Sequence, residues 1–141
     1  MRKDDARAYK INLSEEQLAD IVKALRDDID LSGAKSITDI PKFNLDLAHK
    51  LYANLLGPAE DMLEGVEHLL VVPTGSMESL PLSVLVTKHP AAGSSDFGRY
   101  QSAAWLPKRF SLTRLPSVSS LRALRMFATN TRATNSFKGF G

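Results

Sequence analysis

The segment His68 to Val72, HLLVV, is a short run apolar on both faces, closed at once by Pro73, Thr74 and Gly75. Such a run suits a strand buried in a parallel sheet. It follows directly on a long stretch of helical period, and a helix leading straight into a buried strand predicts an α/β layer architecture. That pairing sets the frame for the rest of the chain.

Upstream of the strand two helices are expected. Ser14 and Gln17 have the spacing of a capping box, and Leu13 and Leu18 that of a hydrophobic staple. Leu18, Ile21, Val22 and Leu25 then fall on one face, which predicts a helix from about Ser14 to Asp27. Asp28 to Lys42 reads as a connecting loop. Asn44 is a good N-cap for a second helix, with Asp46 in the first turn where the dipole favours negative charge. Ala48, Leu51, Tyr52, Leu55, Ala59 and Met62 keep its period, interrupted by Gly57-Pro58, where a kink or two abutting helices are expected. Gly65 is placed to end the run in a left-handed conformation.

Downstream, Leu80 to Val86 is apolar, and Pro81 fits either the opening of a short helix or a strand edge. His89 to Gly98 has the Pro, Gly and Ser content of a mobile loop. Trp105 and Leu106 return the chain to the core. Arg109 to Leu115, between Pro107 and Pro116, reads as a second strand. Ser117 caps a helix with Val118, Leu121, Leu124 and Phe127 on one side and Arg122 and Arg125 on the other. Ala128 to Asn135 is polar and loose, and Phe137 to Gly141 resembles a strand that has just begun.

Charge is unevenly placed. Residues 1–96 carry 10 basic and 16 acidic residues, a net of −6, whereas residues 97–141 carry 8 basic and no acidic ones. An acidic surface beside the basic segment explains this better than a nucleic-acid site, because the cations are dispersed. The chain contains no cysteine, so a disulfide, a thiolate metal site or a cysteine nucleophile cannot come from its own residues. His49, His68 and His89 show no metal spacing, and no cofactor motif is present. Asp61 and Glu64 are ordinary helix decoration. The charged N-terminus lacks a secretory core and no apolar run would span a bilayer, so a cytoplasmic location is expected.

Three segments in order resemble the CHAT family of caspase-like domains: LYANLLGPAEDMLEGVEHLLVVPTGSMESLPLSVL at Leu51 to Leu85, RFSLTRLPSVSSLRALR at Arg109 to Arg125, and FKGFG at Phe137 to Gly141. The resemblance implies a partial caspase-like α/β fold, with N-terminal helices followed by the first strands of a mainly parallel sheet and its flanking helices. Residues 1–43 form a helical lead-in and loop, and 44–141 the N-terminal part of the CHAT-like domain. Family members are similar to cysteine peptidases of the caspase and separase type, whose His-Cys dyad lies beyond the matching segments. Thr74 departs from the family, which often has Asp there.

The chain is therefore expected to be non-catalytic alone, within a parent that is a cysteine peptidase acting on a protein or peptide. A pseudoprotease or scaffold for protein interaction is the alternative, and a basic nucleic-acid-binding segment ranks last. Ligands of open α/β sheets bind at the carboxyl ends of the strands. That rule makes Pro73, Thr74, Gly75, Ser76 and Met77, with Pro116 and Ser117, the expected rim of any site. An open sheet edge or swapped helices would join copies into a homo-oligomer.

Overall fold

The computed structural model describes residues 6–36, 42–90 and 96–128. Among the described residues, four α-helices and two short strands are joined by 3₁₀ turns: α1 (Glu15–Ile29), α2 (Leu45–Leu55), β1 (His68–Val71), α3 (Asp96–Ser102), β2 (Ser111–Arg114) and α4 (Val118–Ala128). The strands pair in parallel, His68 opposite Ser111 and Val71 opposite Arg114. The fold is thus of the α/β kind, combining helices with a small parallel sheet.

α1 starts where its sequence dictates. The Ser14 hydroxyl accepts from the Gln17 amide at 3.1 Å, and the Gln17 side chain accepts from the Ser14 amide at 3.0 Å, so the full capping box forms. Asn44 caps α2 by accepting from the Leu47 amide at 2.9 Å. The apolar faces of both helices meet in one core. Ile21, Val22 and Leu25 of α1 join Leu45, Ala48, Leu51 and Tyr52 of α2, together with Met77, Leu80, Leu85, Val86, Leu106 and Phe110. Leu25, Ala48 and Leu51 have no exposed surface at all.

The Gly57-Pro58 interruption is a change of helix type. α2 ends at Leu55 and a 3₁₀ helix runs from Gly57 to Leu63 with the proline in its first turn, where a missing N–H costs nothing. Gly65 then turns the chain at φ 71°, a conformation that would strain any side-chain-bearing residue. Pro81 opens a 3₁₀ turn over Leu82–Val84, and Val86 forms an isolated antiparallel bridge with Trp105.

Several expectations are corrected. β1 is not buried on both faces: His68 is exposed and Leu70 is 45% exposed, while Leu69 packs against the core. Among the described residues the sheet has only two strands, and the alternating exposure along β1 turns Leu69 to the core and His68 and Leu70 away from it. The end of the stretch read as a loop is helical, because α3 begins at Asp96. Tyr100, Ala103 and Leu106, at intervals of three residues, tie that segment to the core. The third correction concerns α4. Val118, read on the side opposite Arg122 and Arg125, is 72% exposed and lies one turn from the exposed Arg122, on the same side. The strand expected at Phe137 to Gly141 and the loose segment after Ala128 lie outside the described residues. Among the described residues, no helix is long and apolar enough to cross a membrane.

Candidate functional site

Parallel pairing carries the two chain segments that leave the strands to the same end of the sheet. The Leu115 amide donates to the Val71 carbonyl at 2.8 Å, one step past the last paired residues. There β1 runs through Pro73 and extended Thr74 into Gly75, whose φ of 58° starts the 3₁₀ turn Gly75–Ser79. Only glycine adopts that conformation without strain. The Arg114 guanidinium donates to the Glu78 carbonyl at 2.6 Å, so the last residue of β2 fastens the turn that follows β1.

Of the expected rim residues, Thr74 and Gly75 are exposed, and Ser76 and Ser117 are half-buried. Met77 is 7% exposed and belongs to the core, where it anchors the turn from below. The Ser117 hydroxyl accepts from the Ser120 amide at 3.2 Å and lies 2.9 Å from the Ser120 hydroxyl, so it is used to start α4. The Ser76 carbonyl accepts from the Ser79 hydroxyl at 2.8 Å. An open groove of about 700 Å³ runs beside this turn, bounded by Ser76 and Ser79 on one side and Val22, Lys23, Arg26 and Ile29 of α1 on the other. α1 therefore forms one wall of the space that adjoins the strand ends.

A second polar cluster escaped the sequence reading. The Tyr52 hydroxyl donates to Glu60 Oε2 at 2.5 Å, and Arg109 donates both to Glu60 Oε1 and, at 3.2 Å, to the Tyr52 oxygen. The guanidinium also lies 4.6 Å from the centre of the Phe110 ring. These groups line an open cavity of about 660 Å³ with His49, Thr87 and Lys88. Burial of Tyr52, then its hydrogen bond to Glu60 and the charge of that carboxylate, push the phenol up to about 12. The same bond from Tyr52, with Arg109 adding to it, holds Glu60 below the usual carboxylate range. Tyr52 and Glu60 are eight residues apart across the Gly57-Pro58 break and Arg109 is remote in sequence, so no local pattern links them.

The histidines are held by ordinary contacts. His49 Nδ1 lies 3.1 Å from the Val86 carbonyl, to which it donates, and His68 Nε2 lies 2.8 Å from the Thr113 hydroxyl across the sheet. His89 Nε2 lies 3.7 Å from Asp46, a carboxylate that sequence proximity did not reveal.

Tyr52 provides a pH test. A phenol whose folded value is raised contributes stability that is complete below its unfolded value near 10 and is lost as pH rises toward 12. In a Tyr9→Phe, Tyr100→Phe background, phenolate absorbance should report Tyr52 ionising well above a free phenol. Glu60→Gln should lower that titration without abolishing the shift, because burial remains. An unchanged titration after Glu60→Gln would show that the carboxylate does not act on the phenol.

No curated protein and no solved structure matches the chain. A family model does. The CHAT domain model matches residues 45–137, which takes in α2, both strands, α3 and α4 and leaves α1 outside. With two helices delivering the chain into β1, the second strand parallel to it and the match spanning most of the sequence, the protein belongs to the CHAT domain family.

Proposed function

We propose that this chain is the strand-and-helix scaffold of a CHAT-type cysteine peptidase, without cleavage chemistry of its own. On this reading Thr74 to Ser76 and Pro116-Ser117 form the rim over which a peptide passes. The parallel register of β1 and β2 carries the proposal, because it sets both rim segments side by side at the carboxyl end of the sheet. A cysteine peptidase needs a thiolate beside an imidazole, and no cysteine is present in these 141 residues. The dyad would then come from other segments of the parent protein, with the present residues supplying support and one border of the site.

Peptide turnover by the full gene product tests this reading. Thr74→Arg and Ser76→Trp, both at positions with accessible surface, should raise KM for peptide substrates while leaving the melting temperature unchanged. The 141-residue chain alone should cleave nothing and take no label from a peptidyl alkylating agent. Cleavage by the isolated chain, or a full-length protein indifferent to both substitutions, would remove the proposal.

A further inference from the structure

Four separate stretches of chain converge on the open cavity of about 660 Å³: α2 with His49 and Tyr52, the 3₁₀ helix with Glu60, the segment after Val86 with Lys88, and Arg109 just before β2. Arg109 stands at the amino end of the strand pair, so this cavity is separate from the rim beyond the carboxyl ends. Its volume is that of a small-ligand pocket. The hydrogen bonds among Tyr52, Glu60 and Arg109 tie three of these stretches together, and that tie leaves particular atoms unspent. Arg109 gives only Nη1 to Glu60 and Tyr52, while its guanidinium carbon lies over the Phe110 ring. Nε and Nη2, donors that can grip a carboxylate as a fork, have no acceptor among the described residues. Lys88 is exposed and makes no hydrogen bond or ion pair among the described residues. His49 donates from Nδ1 to the Val86 carbonyl, which leaves a lone pair on Nε2.

The charges and donors together select a ligand. Glu60 cancels Arg109, and Lys88 then gives the cavity one net positive charge. A monoanion matches that count. A phosphate group, with about two negative charges at neutral pH, brings an excess beside Glu60. The unspent guanidinium donors suit the two oxygens of a carboxylate, and the Lys88 ammonium adds a mobile third donor. His49 Nε2 has the opposite need, an N–H or O–H close to that carboxylate. The last residue of a peptide offers both, because its own amide N–H adjoins its α-carboxylate. In a glutamate side chain the nearest amide lies two carbons further off. We infer that this cavity binds the α-carboxylate of an N-acylated residue, gripped by Arg109 and Lys88, with the adjoining N–H donated to His49. A peptide C-terminus and a free N-acylamino acid both present that group. The inference stands apart from the peptidase reading, since it uses neither the rim nor any cleavage step.

Fluorescence anisotropy with the 141-residue chain tests it. The probe is a short neutral peptide ending in glycine, with an uncharged fluorophore on its N-terminus and a free α-carboxylate. Comparison probes are its C-terminal amide, that amide with one internal glutamate, and a free acid ending in sarcosine, which lacks the last N–H. The glycine acid should bind about tenfold more tightly than either amide and about fivefold more tightly than the sarcosine acid, weakening as salt is raised. Lys88→Glu should cost about tenfold or more at the wild-type melting temperature, because the side chain is exposed and holds nothing in place. Lys23→Glu makes the same charge change on α1 and should cost less than about twofold. Glu60→Gln makes the cavity more positive by one charge, so inorganic phosphate, a weak competitor in the wild type, should become an effective one. Unlabelled N-acetylglycine separates the two sources. Displacement in the concentration range of the peptide itself assigns the site to a free N-acylamino acid, and a need for about tenfold more assigns it to a chain terminus. Equal binding of acid and amide, equal binding of the glycine and sarcosine acids, or tighter binding of phosphate than of the acid by the wild type would each overturn the inference. So would a Lys88→Glu loss no larger than that of Lys23→Glu.

Discussion

Leu25→Ala lowers the stability of the whole fold by about 2–5 kcal/mol, the range for truncating a fully buried leucine in a core that cannot collapse around the gap. Leu25 has no exposed surface and packs in the same cluster as Leu51, Leu80 and Phe110. The substitution is informative because α1 lies before the stretch that the family model covers, which starts at residue 45. A detachable lead-in would lose its own helix and leave α2 and the strands untouched. A helix whose side chains complete the core lowers every element together. The expected result is therefore a single cooperative melt displaced downward by about 10 °C, with helix and aromatic signals moving in step. Loss of far-ultraviolet signal at an unchanged aromatic midpoint would show that α1 is an appendage.

Phe110→Ala acts from the other side of the same core, and its cost is about 3–5 kcal/mol. The ring is 1% exposed and immediately precedes β2. It holds the register of that strand from below, since the Phe110 amide donates to the Leu106 carbonyl while the ring fills the core and carries Arg109 on its face. Without it, the cavity loosens the segment that places Ser111 opposite His68. Amide exchange at Ser111 and Leu115, which donate to the Glu67 and Val71 carbonyls, should accelerate more than exchange within α2. Equal acceleration across both regions would mean that the ring stabilises the fold without setting the strand. Phe110→Leu should restore most of the protection, because volume matters more than aromaticity at this position.

Much of this architecture was legible wherever a local rule fixes a local geometry. The Ser14 and Gln17 pair, the Asn44 cap and the left-handed Gly65 each work within one turn of chain, and each was readable from the residues concerned. The two strands were legible because short apolar runs between Pro and Gly have few alternatives. What failed depended on contacts between distant segments. α3 is held by Ala103 and Leu106, which meet the core only after the chain has turned. Val118 is apolar, yet its i, i+4 spacing sets it beside Arg122 on the exposed side of α4, so apolar character alone does not place it. The Tyr52, Glu60 and Arg109 cluster is the strongest instance. Three residue types that are common on any surface become a coupled unit only when the 3₁₀ turn and the start of β2 converge. That the segments leaving β1 and β2 emerge at the same end of a parallel pair was deducible, though the burial of Met77 beside them was not.

The pairing of β1 with β2 has a consequence for how the molecule is made. Closing the sheet joins segments separated by roughly forty residues, so the loop-closure entropy has to be met before any ladder bond forms. α1, α2 and β1 all leave the ribosome before β2 exists. During that interval Leu69 and Leu70 stand on a strand with no neighbour. Sheet formation is thus expected to be the slow step of folding, and the interval before it the moment when the nascent chain is most open to chaperone capture or to association with another unfinished copy.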